Sequence, residues 1–319
     1  MNSSLQVFMN GIIDYAGLFP PAQLSLDTSI HNFARYKKGE DADMLSRFII
    51  PASQLHRLED YGNELFKADP PFDFSVLGKG TEMIADFGDA IEDVIENCEA
   101  FNNAHGDTVT TELLEMKLPK EAAFSNDVNL IVDLLNRNAE RFAENPQTPS
   151  CIFYETIWEE NWKNDIQTAL KAIEQHNESI EGDDESYRYA GFKIRCGGVE
   201  AHMFPSAEQV AFALNKAREY NVAIKCTAGL HHPVRHYNDS VQTRMHGFFN
   251  VFGGAMLAYA HNLSDEELVE ILIEEDPAQF SFTDKGLSFD DYFIPTKEIE
   301  ELREVALISY GSCSFEEPI

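Results

Sequence analysis

Eight short apolar or β-branched runs recur along the chain, and most are followed by a longer stretch with helical spacing. The runs are GIIDYAG (11–17), SRFIIP (46–51), FDFSVLG (72–78), TELLEMKL (111–118), CIFYETI (151–157), GFKIRCGG (191–198), VAIKCTAG (222–229) and ALISYGSCSF (306–315). Alternating β and α segments with short connections imply a parallel sheet. Eight such units in 319 residues fit a single (β/α)8 TIM-type barrel domain spanning 1–319. The competing architecture is an open doubly wound sheet. No G-x-G-x-x-G follows the first strand and no P-loop occurs, so no nucleotide or other cofactor is expected.

Between the strands, the spacing predicts helices starting near Ser25–Asp27, over ASQLHRLEDYGNELF, from about Glu82 to Asn102, around 126–143, around 160–176, over PSAEQVAFALNKAREY with Ser206 as N-cap, and from about Ser240 to Tyr259. Ser264 and Glu267 have the spacing of a capping box. FSFTDKGLSF (280–289) reads as a small hairpin appended before the last strand.

The hydrophobic fraction of 44% suffices for a large core. The longest apolar stretch, FFNVFGGAMLAYA, is too short to span a membrane and reads as a buried helix. No basic-then-apolar leader pattern opens the chain. Cys98, Cys151, Cys196, Cys226 and Cys313 are scattered and odd in number, which points to a reducing, cytoplasmic setting. A net charge of −31 disfavours nucleic acid and anionic membranes as partners. Acidic runs such as EGDDE (181–185) and DEE (265–267) read as solvated surface or helix starts.

Against that acidic background, two consecutive strands carry a lysine inside an apolar run. In GFKIRC, Lys193 and Arg195 share one face, opposite Phe192, Ile194 and Cys196. In VAIKCTA, Lys225 and Thr227 share one face, opposite Val222, Ile224 and Cys226. Glu155 shares a face with Phe153 on the strand before. If the apolar faces meet the helices, Glu155, Lys193, Arg195, Lys225 and Thr227 point into the barrel near its carboxyl-terminal mouth. Neighbouring cations and burial would then depress a lysine pKa and make it a nucleophile or base. Lys193 is the expected nucleophile, because Arg195 adds a fixed charge; a carboxylate such as Glu155 close by would oppose the shift. A buried Glu–Lys pair serving only packing is the bland alternative.

Other strand ends contribute weaker signals. Asp14 ends the first strand beside Pro20–Pro21, as an acid/base or a turn cap. Glu112 and Glu115 have opposite parity on the fourth strand, so at most one faces inward. His231, His232 and His236 occupy the loop after the seventh strand, and His246 follows. Pro233 interrupts any helical His pairing and no H-E-x-x-H occurs, so no metal is expected. An acid/base or substrate-binding role suits His231, His232 and His236 better. Ser312 and Ser314, flanking Cys313, could hold a phosphate or carboxylate. Cys313 reads as a core cysteine, with a nucleophile as the alternative.

Taken together, IIDYAGLFPPA, GFKIRCGG, TAGLHHPVRH, MHGFFNVFGGA and GSCSFEEP resemble an uncharacterised family of bacterial hypothetical proteins, over nearly the whole chain. That resemblance implies no reaction. A looser one, to the lysine-dependent (β/α)8 aldolases of the deoxyribose-phosphate aldolase group, implies an imine-forming lysine on the sixth strand and a tuning lysine on the seventh. Lys193 and Lys225 occupy those strands, while the HHPVRH loop departs from that group.

The resulting expectation is an enzyme of lyase or aldolase type acting on a small anionic carbonyl compound. Lys193 forms an imine, Lys225 tunes it, Glu155, His231, His232 or Asp14 moves protons, and Arg195, Thr227, His236, Ser312 and Ser314 bind substrate. The alternatives are a metal-dependent hydrolase or isomerase built on His231, His232, His236 or His246 with Asp14 or Glu155, and a non-catalytic metabolite-binding barrel. Homo-oligomerisation is left open.

Overall fold

A computed structural model describes residues 2–67, 70–145, 147–180 and 189–317. The acidic run at 181–185 lies outside the described residues. Eight strands close into a barrel: β1 (Ile13–Tyr15), β2 (Leu45–Pro51), β3 (Phe72–Leu77), β4 (Val109–Lys117), β5 (Cys151–Glu155), β6 (Tyr189–Arg195), β7 (Ile224–Thr227) and β8 (Leu307–Ser312). Their order around the barrel is β1–β8–β7–β6–β5–β4–β3–β2. Each falls within or beside one of the apolar runs of the sequence. By compactness the chain divides into two units, one of Met1–Ser29, Arg35–Ser46 and Ile194–Ile319, the other of Ile30–Ala34 and Arg47–Lys193.

In the second unit, β3, β4, β5 and β6 pair in parallel. The register sets Lys117 beside Glu155 and Glu155 beside Lys193, one row at the carboxyl ends of three strands. One step below, Phe153 pairs with Gly191. A Cβ at Gly191 would sit 2.4 Å from the Phe153 ring, so this position must be glycine for the ring to fill the layer under the polar row. The helices Phe87–His105 and Val128–Ala143 follow β3 and β4, and Trp162–Ile180 follows β5.

In the first unit, β7 pairs with β8 and β8 with β1. The β7–β8 register shifts between Leu307 and Tyr310, where β8 carries Ser309. The helix Ala207–Glu219 follows β6 and starts with a capping box formed by Ser206 and Gln209. A second capping box, Ser264 with Glu267, opens Asp265–Leu272. That helix places Asp265, Glu266 and Glu267 in its first turn, where the helix dipole favours negative charge.

Three segments depart from the expected elements. The stretch expected as one helix from Ser240 to Tyr259 instead holds the second strand of an antiparallel hairpin, His236–Asn238 with Thr243–Met245, then a π-helical turn Phe249–Gly253 and an α-helix Gly254–His261. Gln242 takes a left-handed φ of 55°, which closes the hairpin turn. Residues Ala52–Tyr61 after β2 wind as a 3-10 helix before one short α-turn, Gly62–Leu65. The appended hairpin has a third strand: Phe280–Phe282, Gly286–Phe289 and Tyr292–Pro295 form an antiparallel sheet, and the helix Thr296–Val305 leads on to β8. A helix Ser3–Met9, unanticipated from the sequence, precedes β1. Among the described residues no helix is long and apolar enough to cross a membrane.

Candidate functional site

Lys193 sits between two carboxylates. Its Nζ lies 2.8 Å from Glu115 Oε2 and 2.9 Å from Glu155 Oε2. The Ser75 hydroxyl donates to Glu115 Oε1 at 2.6 Å. All four residues are buried. Side chains from β4 and β6 can meet across the intervening β5 only on the concave side of those strands. Glu155 and Lys193 therefore share the inward face that strand parity indicated.

The electrostatics of Lys193 differ from the expectation. Burial alone pushes the ammonium pKa down, but the charges of Glu115 and Glu155 and their hydrogen bonds outweigh it and hold the pKa above the ordinary lysine value. The expected depression is corrected for that reason: two carboxylates in contact dominate the immediate field of this lysine. It is held as an ammonium, not poised as a neutral amine.

Glu155 divides its two oxygens. Oε2 holds Lys193, while Oε1 is buried and has no hydrogen-bond partner among the described residues. Lys117 Nζ lies 4.0 Å from Oε1. Glu155 also lines a cavity of about 280 Å³ at the carboxyl ends of β3, β4 and β5. Its wall includes Thr81 and Glu82 after β3, Lys117 and Lys120 at the end of β4, and Thr156 and Ile157 after β5. Backbone bonds stitch these loops together: Lys120 N–H donates to Thr81 O at 3.4 Å, and Glu121 N–H to Glu82 O at 3.0 Å.

Sequence reasoning did not select Glu115, Lys117, Lys120, Thr81 or Ser75 for the site. Lys117 had a usable signal, since it follows Glu115 by two residues and so shares its strand face. The choice between Glu112 and Glu115 is settled by their partners: Glu112 forms a two-pronged pair with Arg47, at 2.7 Å to both Nε and Nη2.

In the other unit, Lys225 is fully buried and pairs with Asp14. Its Nζ also lies 3.2 Å from Ser309 Oγ, whose hydroxyl donates to Asp14 Oδ2 at 2.5 Å. Asp14 thus pairs with a lysine across β8.

The loop after β7 brings together some of the expected histidines. His231 Nδ1 lies 3.5 Å from Ser312 Oγ, 3.5 Å from Glu317 Oε2 and 4.0 Å from Cys313 Sγ. The His232 and His236 rings meet edge-on with centroids 4.2 Å apart. Burial lowers the pKa of both His231 and His236, so each favours the neutral ring. His246 is buried, donates from Nε2 to Pro205 O at 2.8 Å, and is pushed down to about 4 by burial. The Cys313 thiol is raised by burial and stays protonated. Ser312 and Ser314 bond within the chain's last turn, Ser312 Oγ to Ser314 O at 2.6 Å and Glu317 N to Ser314 Oγ at 3.2 Å. Arg195 and Thr227 end β6 and β7 as half-buried residues. Among the described residues no group of three or more His, Cys, Asp or Glu side chains is arranged to hold a metal ion.

Neither a scan against protein-family models nor a search of curated proteins finds a match for this chain.

Proposed function

We propose that this barrel is an enzyme of lyase or aldolase type that moves a proton on a small anionic carbonyl compound in the pocket at the ends of β3, β4 and β5. The observation that carries this reading is the divided carboxylate of Glu155. One oxygen is tied to Lys193, and the other is buried near Lys117 with no hydrogen-bond partner among the described residues, on a side chain that lines the pocket.

Glu155 acts as the base. It takes the proton from the carbon next to the carbonyl, the C–H electron pair forms the enolate double bond, and the carbonyl π pair moves onto oxygen. Lys117 supplies the charge that stabilises that oxygen, and Lys120 receives the anionic group of the substrate. Lys193, with Glu115 and Ser75 behind it, holds Glu155 in place. An imine on Lys193 requires the neutral amine, which its two carboxylates disfavour. Its role here is therefore that of a fixed positive charge. The five free cysteines support a cytoplasmic setting.

The test is deuterium uptake from solvent, read by NMR, across a panel of small keto acids and phosphorylated ketones. Exchange at the carbon beside the carbonyl is expected, with a loss of about 10²–10⁴-fold in Glu155→Gln. Unchanged exchange in that variant removes Glu155 as the base. A borohydride-trapped adduct on Lys193 restores the imine mechanism instead.

A further inference from the structure

The carboxyl end of β8 brings a thiol and an imidazole together. Cys313 Sγ lies 4.0 Å from His231 Nδ1, within reach of a hydrogen bond involving sulfur. The backbone amides of Ala22 and of Cys313 itself also donate to this sulfur. Cys98, Cys196 and Cys226 are sealed at 0% exposure, whereas Cys313 keeps 7% and His231 9%.

The turn that carries His231 is strained. Ala228 (φ 59°) and Gly229 (φ 74°) follow β7 in the left-handed region, which a residue with a Cβ, such as Ala228, enters only at a cost. The reversal seats Gly229 on the end of β6, where a Cβ would stand 2.9 Å from Cys196 O. Two residues on, His231 reaches Ser312 and Cys313. Backbone strain of this kind persists where the surrounding structure holds a functional group in place.

The protonation states suit a base facing an acid. Burial lowers the pKa of His231, which favours the neutral ring, and burial raises that of the Cys313 thiol. The Ser312 hydroxyl, 3.5 Å from Nδ1, donates to Ser314 O at 2.6 Å, so it does not supply Nδ1 with a proton. Sulfur attacks as a thiolate. A protonated thiol beside a neutral imidazole is therefore a nucleophile with its own general base. Three other titratable groups act on the ring. Glu317, with Oε2 at 3.5 Å and a 56% exposed side chain, raises its pKa, and His232 and His236 lower it.

We infer that Cys313 is a nucleophile, with His231 as its base, that captures a small aldehyde as a hemithioacetal. His231 Nδ1 takes the thiol proton and the sulfur pair forms the C–S bond. The carbonyl π pair moves onto oxygen, and Nδ1 returns the proton to that oxygen. The protons balance within the pair, with no leaving group, oxidant or further residue. This centre makes no use of Glu155, and either reading can fail without the other.

Alkylation of the native full chain by iodoacetamide, mapped by mass spectrometry across pH, tests the inference. Below its pKa an unassisted thiol gains about tenfold in rate per pH unit. With His231 as base, the Cys313 rate should instead rise as the imidazole loses its proton and level off above about pH 6.5. Glu317→Gln removes an exposed carboxylate that raises the imidazole pKa, so the rise should move to lower pH. His231→Gln should restore the unassisted slope and slow Cys313 about tenfold or more at neutral pH. Acetaldehyde should slow alkylation of Cys313 about tenfold more than that of half-buried Cys151, at the start of β5. In wild type, a Cys313 rate that climbs about tenfold per pH unit, or Cys313 left unlabelled where Cys151 reacts, overturns the pair whether or not the variants fold. Equal slowing of both cysteines by acetaldehyde overturns the capture of an aldehyde.

Discussion

Lys193 is where residue type and residue environment pull apart. Its inward direction was legible, because period-2 alternation separates Lys193 from Phe192 and Ile194 without any coordinates. The sign of its pKa shift was not, because that depends on which charges touch it. Arg195 was visible on the same strand, whereas Glu115 comes from β4, two strands away. Removing the ammonium leaves Glu115 and Glu155 facing each other in a buried site. Lys193→Met should therefore cost about 3–5 kcal/mol in a urea titration, with Lys193→Arg recovering part of it; a cost indistinguishable from zero would show the cluster adds nothing to stability. The pH dependence has a definite sign. The folded pKa is raised, so this contribution is fully present below the unfolded value of about 10.4 and disappears only as pH rises through the folded value. Acylation mapped by mass spectrometry should find Lys193 unlabelled in native protein at a pH where exposed Lys297 reacts. His246 has the opposite window. Its neutral ring is favoured in the fold, so its contribution is present above about pH 6.5 and is lost as pH falls toward its folded value near 4. Wild type should lose on the order of 3 kcal/mol across that interval from this group, and the slope should flatten in His246→Gln.

Elements were legible where one local signal settled them. Ser206 and Ser264 each precede a helix with Gln or Glu three residues on, and both form reciprocal capping boxes. Ser206→Ala and Ser264→Ala should each cost about 1 kcal/mol in denaturant midpoints at constant slope; no change in either would mean that tertiary packing alone holds those helix starts. The segment from Ser240 misled because its turn chemistry is local and polar. Asn238 Oδ1 accepts from both the backbone and the hydroxyl of Ser240, which makes the serine part of a hairpin turn and not a helix cap. The helix that follows is anchored by Asn250, which no periodicity singles out. Its Oδ1 accepts from Arg235 N–H, and its Nδ2 donates to Ile271 O and Glu274 O. Asn250→Ala should strip partners from all three backbone groups, at about 1–3 kcal/mol for each that stays dry. Unfolding free energies set against the cap variants would rank the two effects.

At the scale of the whole molecule, alternation of strand and helix was enough to indicate the barrel, because eight parallel strands joined by short crossovers have few ways to close. The pocket was harder to see. Its wall is assembled from residues on three strand ends that are far apart in sequence and singly unremarkable. What the composition does state directly is a net charge of −31, and that has a measurable consequence. So large an imbalance makes the folded chain repel itself more than the expanded one, over a range set by the Debye length of about 30 Å at 0.01 M salt and about 3 Å at 1 M. Sodium chloride should therefore raise the thermal midpoint steeply at low concentration and level off once neighbouring surface carboxylates are screened. The buried contacts of Lys193 and Lys225 contribute little to this response, since they are shielded from the ions. The exposed pairs work in the opposite direction: Lys297–Glu301 at 3.1 Å and Arg35–Glu316 at 3.1 Å weaken as salt rises. Such pairs are each worth only about 0–1 kcal/mol, and the cations available to form them are outnumbered 24 to 55. Repulsion should prevail, and a midpoint that falls monotonically with added salt would show that the surface pairs outweigh it.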